Sequence, residues 1–291
     1  MSAGMTYRYA KQCGLRSRFG AFGAILTFAL ATVAGACTSG SPSDKNAEAT
    51  TQRGDQAAST EVGDVLGGIL VVYAAASLSG AFDVLATEFA EMHPELNVAP
   101  PVYDGSSSLV TQILEGAPVD VFASADIANM ETLTGDSMTY GDPVVFATNQ
   151  ITVAVPADNP AEVTSLQDLV SPGVSVVLCA PEVPCGAAAE NVLEAAGLEV
   201  TPVSSEQNVS AVAAKIASGQ ADAGLVYVTD VQASDGELVA VPTPVDAQFV
   251  NLYPIAVLTD AENPSAAEAF VAFVLSDRGQ EILQRFGFGR P

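Results

Sequence analysis

Residues 69–80 read ILVVYAAASLSG, and their order decides the fold class. Ile69 to Ala74 is a short apolar run, as expected of a strand buried on both faces. Small residues follow, Ala75, Ala76 and Ser77. Leu78, Phe82, Leu85 and Phe89 then recur at helical spacing. The helix is expected to end near His93-Pro94, because proline disfavours helix in the residue before it. Downstream, Leu96 to Val102 begins a second strand. Ser106 and Ser107 precede a second helical face made by Leu109, Val110, Ile113 and Leu114, which Gly116 closes. Val119 to Ala123 reads as a third strand, and Asp126 caps a helix running through Leu133.

A similar set follows. Ile151 to Val155 is a strand ending at Pro156, and Ser165 to Val170 a short helix. Val174 to Cys179 is a strand, and Gly186 to Ala196 a helix stopped by Gly197. Val209 to Ser218 is a helix, Ala223 to Val228 a strand and Tyr253 to Leu258 a strand. The chain then ends helically over Ser265 to Phe286, with a break near Asp277-Arg278-Gly279. Alternating strands and helices predict an α/β fold with mostly parallel sheets flanked by helices. Two successive sets predict two lobes: 68–147 with 251–291 as lobe 1, and 148–250 as lobe 2.

The N-terminus predicts export. Arg8, Lys11, Arg16 and Arg18 precede the apolar run from Ala21 to Ala36. That run is short for a membrane span and fits the core of a signal peptide, residues 1–37. It ends in Ala34-Gly35-Ala36-Cys37, the form of a bacterial lipoprotein signal in which Cys37 is lipidated, although Ala34 stands where Leu is usual. Residues 38–67 are rich in Ser, Thr, Ala, Gly and Asp, as a tether is. Without the first 37 residues, 6 of the 10 basic residues remain against all 34 acidic ones, a net charge of −28. This argues against nucleic-acid binding. It does not exclude an anionic ligand, since surface charge is screened over roughly 8 Å at physiological salt. Of the four cysteines, Cys179 and Cys185 lie six apart in an exported body. They are expected to form a disulfide rather than stay free thiols.

The strand-to-helix junctions carry the candidate chemistry. Tyr73 to Leu78, Tyr103 to Ser108 and Cys179 to Gly186 place small or hydroxyl residues where helices begin, and Glu206 to Val209 opens another helix. Helix N-termini leave backbone N–H groups unpaired and carry partial positive charge, so they hold anions. In open α/β sheets such junctions lie beyond the carboxyl ends of the strands, where ligands bind. Either serine alone could be a plain N-cap; two in successive units point to a site.

The body resembles the molybdate-binding protein family of ATP-driven (ABC-type) uptake systems. The likeness rests on YAAASLSG at 73–80, GSSSLVTQILEGAPVDVFASAD at 105–126, APEVPCG at 180–186, GLVYVTD at 224–230 and RGQEILQRFGF at 278–288. It implies a two-lobed periplasmic binding protein that holds molybdate or tungstate in the inter-lobe cleft by neutral donors, with no cofactor and no direct metal ligand. The implied ligand residues are Ser77, Ser106 (or Ser107 if the loop is read one residue on), Cys185, Val209 and Tyr227. The implied partner is an ABC transporter permease, met by a monomer anchored outside the cytoplasm through Cys37. Two residues depart from the family pattern. Cys185 stands where alanine is common, so a bond to Cys179 would staple the donor loop. Asp104 stands near Ser106 where a small neutral residue is common, and is read as facing solvent.

Sulfate or phosphate is the alternative ligand. A serine hydrolase is a distant one: it needs a base, the sole histidine is His93, and a helix of about 15 residues (roughly 22 Å) parts it from Ser77. No GxSxG, P-loop or GxGxxG motif is present.

Overall fold

The computed structural model describes residues 65–243 and 250–291. The signal segment, Cys37 and nearly all of the tether expected at 38–67 lie outside the described residues. Among the described residues no helix is long and apolar enough to cross a membrane.

One lobe is built on β2 (Val72–Ala75), which pairs in parallel with β4 (Val102–Asp104) and β5 (Val121–Ala123). A small parallel pair, β1 (Gly68–Leu70) with β3 (Leu96–Val98), sits beside it. Helices α1 (Ser79–Met92), α2 (Ser106–Leu114) and α3 (Ile127–Gly135) follow β2, β4 and β5 in turn. The other lobe repeats the design. β7 (Val176–Cys179) pairs in parallel with β8 (Ser204–Glu206) and β9 (Ala223–Tyr227), with α4 (Pro184–Ala195) and α5 (Val209–Ala217) crossing between them.

Two strands join the lobes. β6 (Thr139–Pro156) runs for 18 residues, about 60 Å at roughly 3.3 Å per residue. Its first part pairs with β11 (Val250–Leu258) and its last part with β9 and β10 (Leu238–Val241), all antiparallel. β11 also borders β5. The resulting strand order is β4-β2-β5-β11-β6-β9-β7-β8, with β10 also on β6. Each lobe therefore has a parallel centre and meets the other through antiparallel strands.

Apolar periodicity explains which faces are buried. Phe82, Leu85 and Phe89 of α1 pack on Phe146 and on Phe270 of α7 (Pro264–Leu275). Ile282 and Leu283 of α8 (Asp277–Arg285) complete that core. A separate core gathers residues between 151 and 241, including Val177, Val212, Ile216 and Leu225. Ala76, which comes from the β2 side, packs into this second core, so the lobes are in contact.

The structure differs from the sequence reading in several elements: the run Ile69 to Ala74 divides into β1 and β2, and the strand expected from Leu96 to Val102 divides into β3 and β4. The strand expected at Ile151 begins at Thr139. The strand expected to reach Val228 stops at Tyr227, because Asp230 accepts the Tyr227 N–H and starts α6 (Val228–Ala233). β8 and β10 were not expected at all; β8 is the polar triplet Ser204-Ser205-Glu206.

Candidate functional site

Four helix starts meet at one small pocket between the lobes. Its lining includes Ser77, Ser106, Cys185, Val209 and Tyr227, together with Asp104 and Asn208. The five candidate residues thus come together. Ser107, the next residue on α2, is not part of the lining.

Backbone donors face this pocket unspent. No side-chain hydrogen bond caps the short 3-10 turn Ala76–Leu78, α2 or α4. By contrast, Asp126, Asn263 and Ser276 cap α3, α7 and α8. Asn208 caps α5 at the Ala211 N–H, beyond Val209. Among the described residues, none accepts from the N–H of Ser77, Ser106, Cys185 or Val209. Helix starts ordinarily satisfy such groups with caps or water, so uncapped starts converging on one point suit an anion.

The hydroxyls are held from behind. Ser106 is fully buried, and its Oγ accepts from the Ala125 N–H at 3.0 Å. Its proton is free for the pocket. Tyr227 Oη accepts from Asn251 Nδ2 at 3.0 Å. Ser77 Oγ lies 3.0 Å from Tyr253 Oη, and Asn149 Nδ2 donates to Tyr253 Oη at 3.3 Å. Burial holds the phenols of Tyr227 and Tyr253 well above the ordinary tyrosine range, so both keep their protons at neutral pH. Asn149, Asn251 and Tyr253 were not foreseen, because what places them is strand pairing between distant segments.

Cys179 and Cys185 form a disulfide with a Cα–Cα separation of 5.7 Å. Cys185 is the second residue of α4, so the bond ties that helix start to the end of β7.

Asp104 corrects the expectation of a solvent-facing side chain. Its Oδ1 accepts from the Gly105 N–H and from Asn208 Nδ2, each at 2.8 Å. The carboxylate faces the opposite lobe because Asn208 supplies a donor there. Gly105 is forced by the same closeness: a Cβ there would stand 2.1 Å from the Gln207 carbonyl oxygen.

The lining contains one carboxylate and no Lys or Arg. Among the described residues no group of three His, Cys, Asp or Glu could hold a metal ion. A roomier groove on the outside of the second lobe is lined by Pro181, Leu193 and Leu198 with Glu190, Glu194 and Glu199; those carboxylates oppose an anion. His93 follows the C-terminal end of α1 and packs on Phe89, at the far end of that helix from Ser77.

Residues 70–289 match the family model for bacterial extracellular solute-binding proteins. The chain belongs to that family. Over 222 residues this solute-binding protein is 43% identical to the molybdate-binding protein ModA of Mycobacterium tuberculosis, a span of 76% of this chain and 85% of that one. Its fold is that of the periplasmic molybdate-binding protein of Azotobacter vinelandii, with a TM-score of 0.64, 22% identity and coverage of 76% and 99% of the two chains. It is also that of the sulfate-binding protein SubI of M. tuberculosis, with a TM-score of 0.63, 18% identity and coverage of 76% and 86%. At those identities the structural likenesses speak for the two-lobed fold alone.

Proposed function

We propose that this solute-binding protein captures molybdate, and tungstate with it, in the cleft between its lobes and delivers it to an ABC-type permease. The observation that carries the reading is the convergence of uncapped helix starts on one pocket without a cation. In the proposed complex the anion takes hydrogen bonds from Ser77, Ser106 and Tyr227 and from the N–H groups of Ser77, Cys185 and Val209. Helix starts are suited to such charge. The 43% identity to a molybdate-binding protein favours molybdate over sulfate where the shared fold does not choose.

The lobes are proposed to divide near residues 147 and 250, so that β6 and β11 act as the hinge. A single copy suffices for the site, since both lobes belong to one chain. Export and a lipid on Cys37 would hold the body at the outer face of the membrane. A thermal scan tests the assignment. Ligand binding to the folded form alone adds roughly 2.7 kcal/mol of stability at a hundredfold excess over Kd. Molybdate and tungstate should raise the melting temperature clearly, and sulfate and phosphate little. A phosphate shift as large as the molybdate shift would contradict it.

A further inference from the structure

Asn149 and Asn251 stand opposite each other in register where β6 and β11 pair. Hydrogen bonds fix the orientation of both amides. Asn251 Nδ2 donates to the Ala125 carbonyl at 3.2 Å, which can only accept, so the group it turns to Tyr227 Oη is also N–H. Asn149 Oδ1 accepts from the Gln150 N–H at 2.9 Å, which leaves its Nδ2 for Thr229 Oγ1 at 2.8 Å and Tyr253 Oη at 3.3 Å.

The consequences pass along the chain of hydroxyls. Tyr253 is fully buried and accepts from Asn149. Its own proton needs an acceptor, and Ser77 Oγ lies 3.0 Å away. Ser77, so engaged, points its proton at the pocket. Tyr227 accepts from Asn251 and likewise has its proton left for the pocket.

We propose that Asn149, Tyr253 and Asn251 are positioning residues that fix Ser77 and Tyr227 as donors, and that they set the preference for an unprotonated oxyanion. The inference rests on the oxyanion reading of the cleft. Molybdate at neutral pH offers only acceptors. Phosphate brings a proton that must itself be accepted. With the hydroxyl oxygens already engaged, that proton has the Asp104 carboxylate at the edge of the lining to turn to, whose Oδ1 already accepts from Gly105 and Asn208, so holding it there costs affinity. Specificity would thus be written on the hinge strands rather than only on the residues that touch the ion.

Isothermal titration of the full chain with molybdate, and separately with inorganic phosphate at pH 7, tests this. Tyr253→Phe keeps the buried ring and removes the proton given to Ser77, whose oxygen then becomes free to accept. Molybdate affinity should fall about tenfold with phosphate affinity little changed, so the molybdate-to-phosphate ratio should narrow by about tenfold. Asn251→Leu, which frees Tyr227 Oη, should narrow it in the same direction and serves if the first variant does not fold. Equal weakening of both anions, as a merely structural role would give, overturns the inference. If the unaltered protein itself shows no preference for molybdate over phosphate, the oxyanion reading falls too. If that preference is present and both variants retain it, only the inference falls.

Discussion

Asn208 Nδ2 donates to the Asp104 carboxylate at 2.8 Å across the cleft. The same side chain of Asn208 caps α5, whose first N–H belongs to Val209. This contact therefore joins the loop that carries Ser106 to the helix start of the opposite lobe. It also places a carboxylate at the edge of an anion site. The two effects oppose each other and can be separated.

Asp104→Asn keeps an acceptor for Asn208 and removes the charge. Molybdate should bind a few-fold tighter at low salt, with the gain shrinking as salt is added. Asp104→Ala also removes the bridge and should bind several-fold more weakly than Asp104→Asn, since a neutral hydrogen bond contributes about 0.5–1.5 kcal/mol. Titrations at two salt concentrations read both. Equal affinities for the two variants would mean the bridge does not support closure.

Gly105 gives a purely steric test. Its backbone, at φ −58° and ψ 138°, is open to any residue, so alanine should fold well. Yet its Cβ would collide with the Gln207 carbonyl of the other lobe. Gly105→Ala should leave the ligand-free melting temperature nearly unchanged and weaken molybdate binding at least tenfold. Unchanged affinity would show that binding does not need this approach of the lobes.

The disulfide between Cys179 and Cys185 holds the loop that ends at the Cys185 N–H. A short closed loop of this size stabilises by about 2 kcal/mol on the chain-entropy account. Cys179→Ser should lower the melting temperature and weaken molybdate binding by several-fold, because the donor must then be ordered on binding. Lower stability with unchanged affinity would confine the bond to a folding role.

Asp230 makes stability depend on pH. It is half-buried as a residue, and burial pushes its carboxyl up to about 7 from an ordinary 3.8, against the pull of the Tyr227 N–H. The folded form keeps this proton over a range where the unfolded chain has lost it. Stability from this group is present below about pH 4 and is lost as pH rises to about 7. Asp230→Asn can still accept from Tyr227 and should flatten that part of the profile. Melting curves from pH 4 to 8 measure it, and an unchanged slope would contradict it.

The legible parts were those with local causes. The alternation of apolar runs and helical faces revealed the α/β fold, and small residues at 75–77 and 105–108 marked helix starts without large side chains in the way. The first half of β6 was hidden because Thr139-Tyr140-Gly141-Asp142-Pro143 has turn chemistry and only partner strands make it extended. Asn149 and Asn251 were hidden for a related reason. They meet across 102 positions of chain through the β6–β11 register, which no local pattern encodes. Asp104 was misread because its partner, Asn208, comes from the other lobe.

The most direct test is an anomalous difference map at the molybdenum edge from crystals grown with molybdate. One peak is expected in the cleft, at a molybdenum whose oxygens are within hydrogen-bonding reach of the hydroxyls of Ser77, Ser106 and Tyr227 and of the N–H groups of Cys185 and Val209. An empty cleft at saturating molybdate, or a peak only in the groove beside Glu190 and Glu194, would contradict the account.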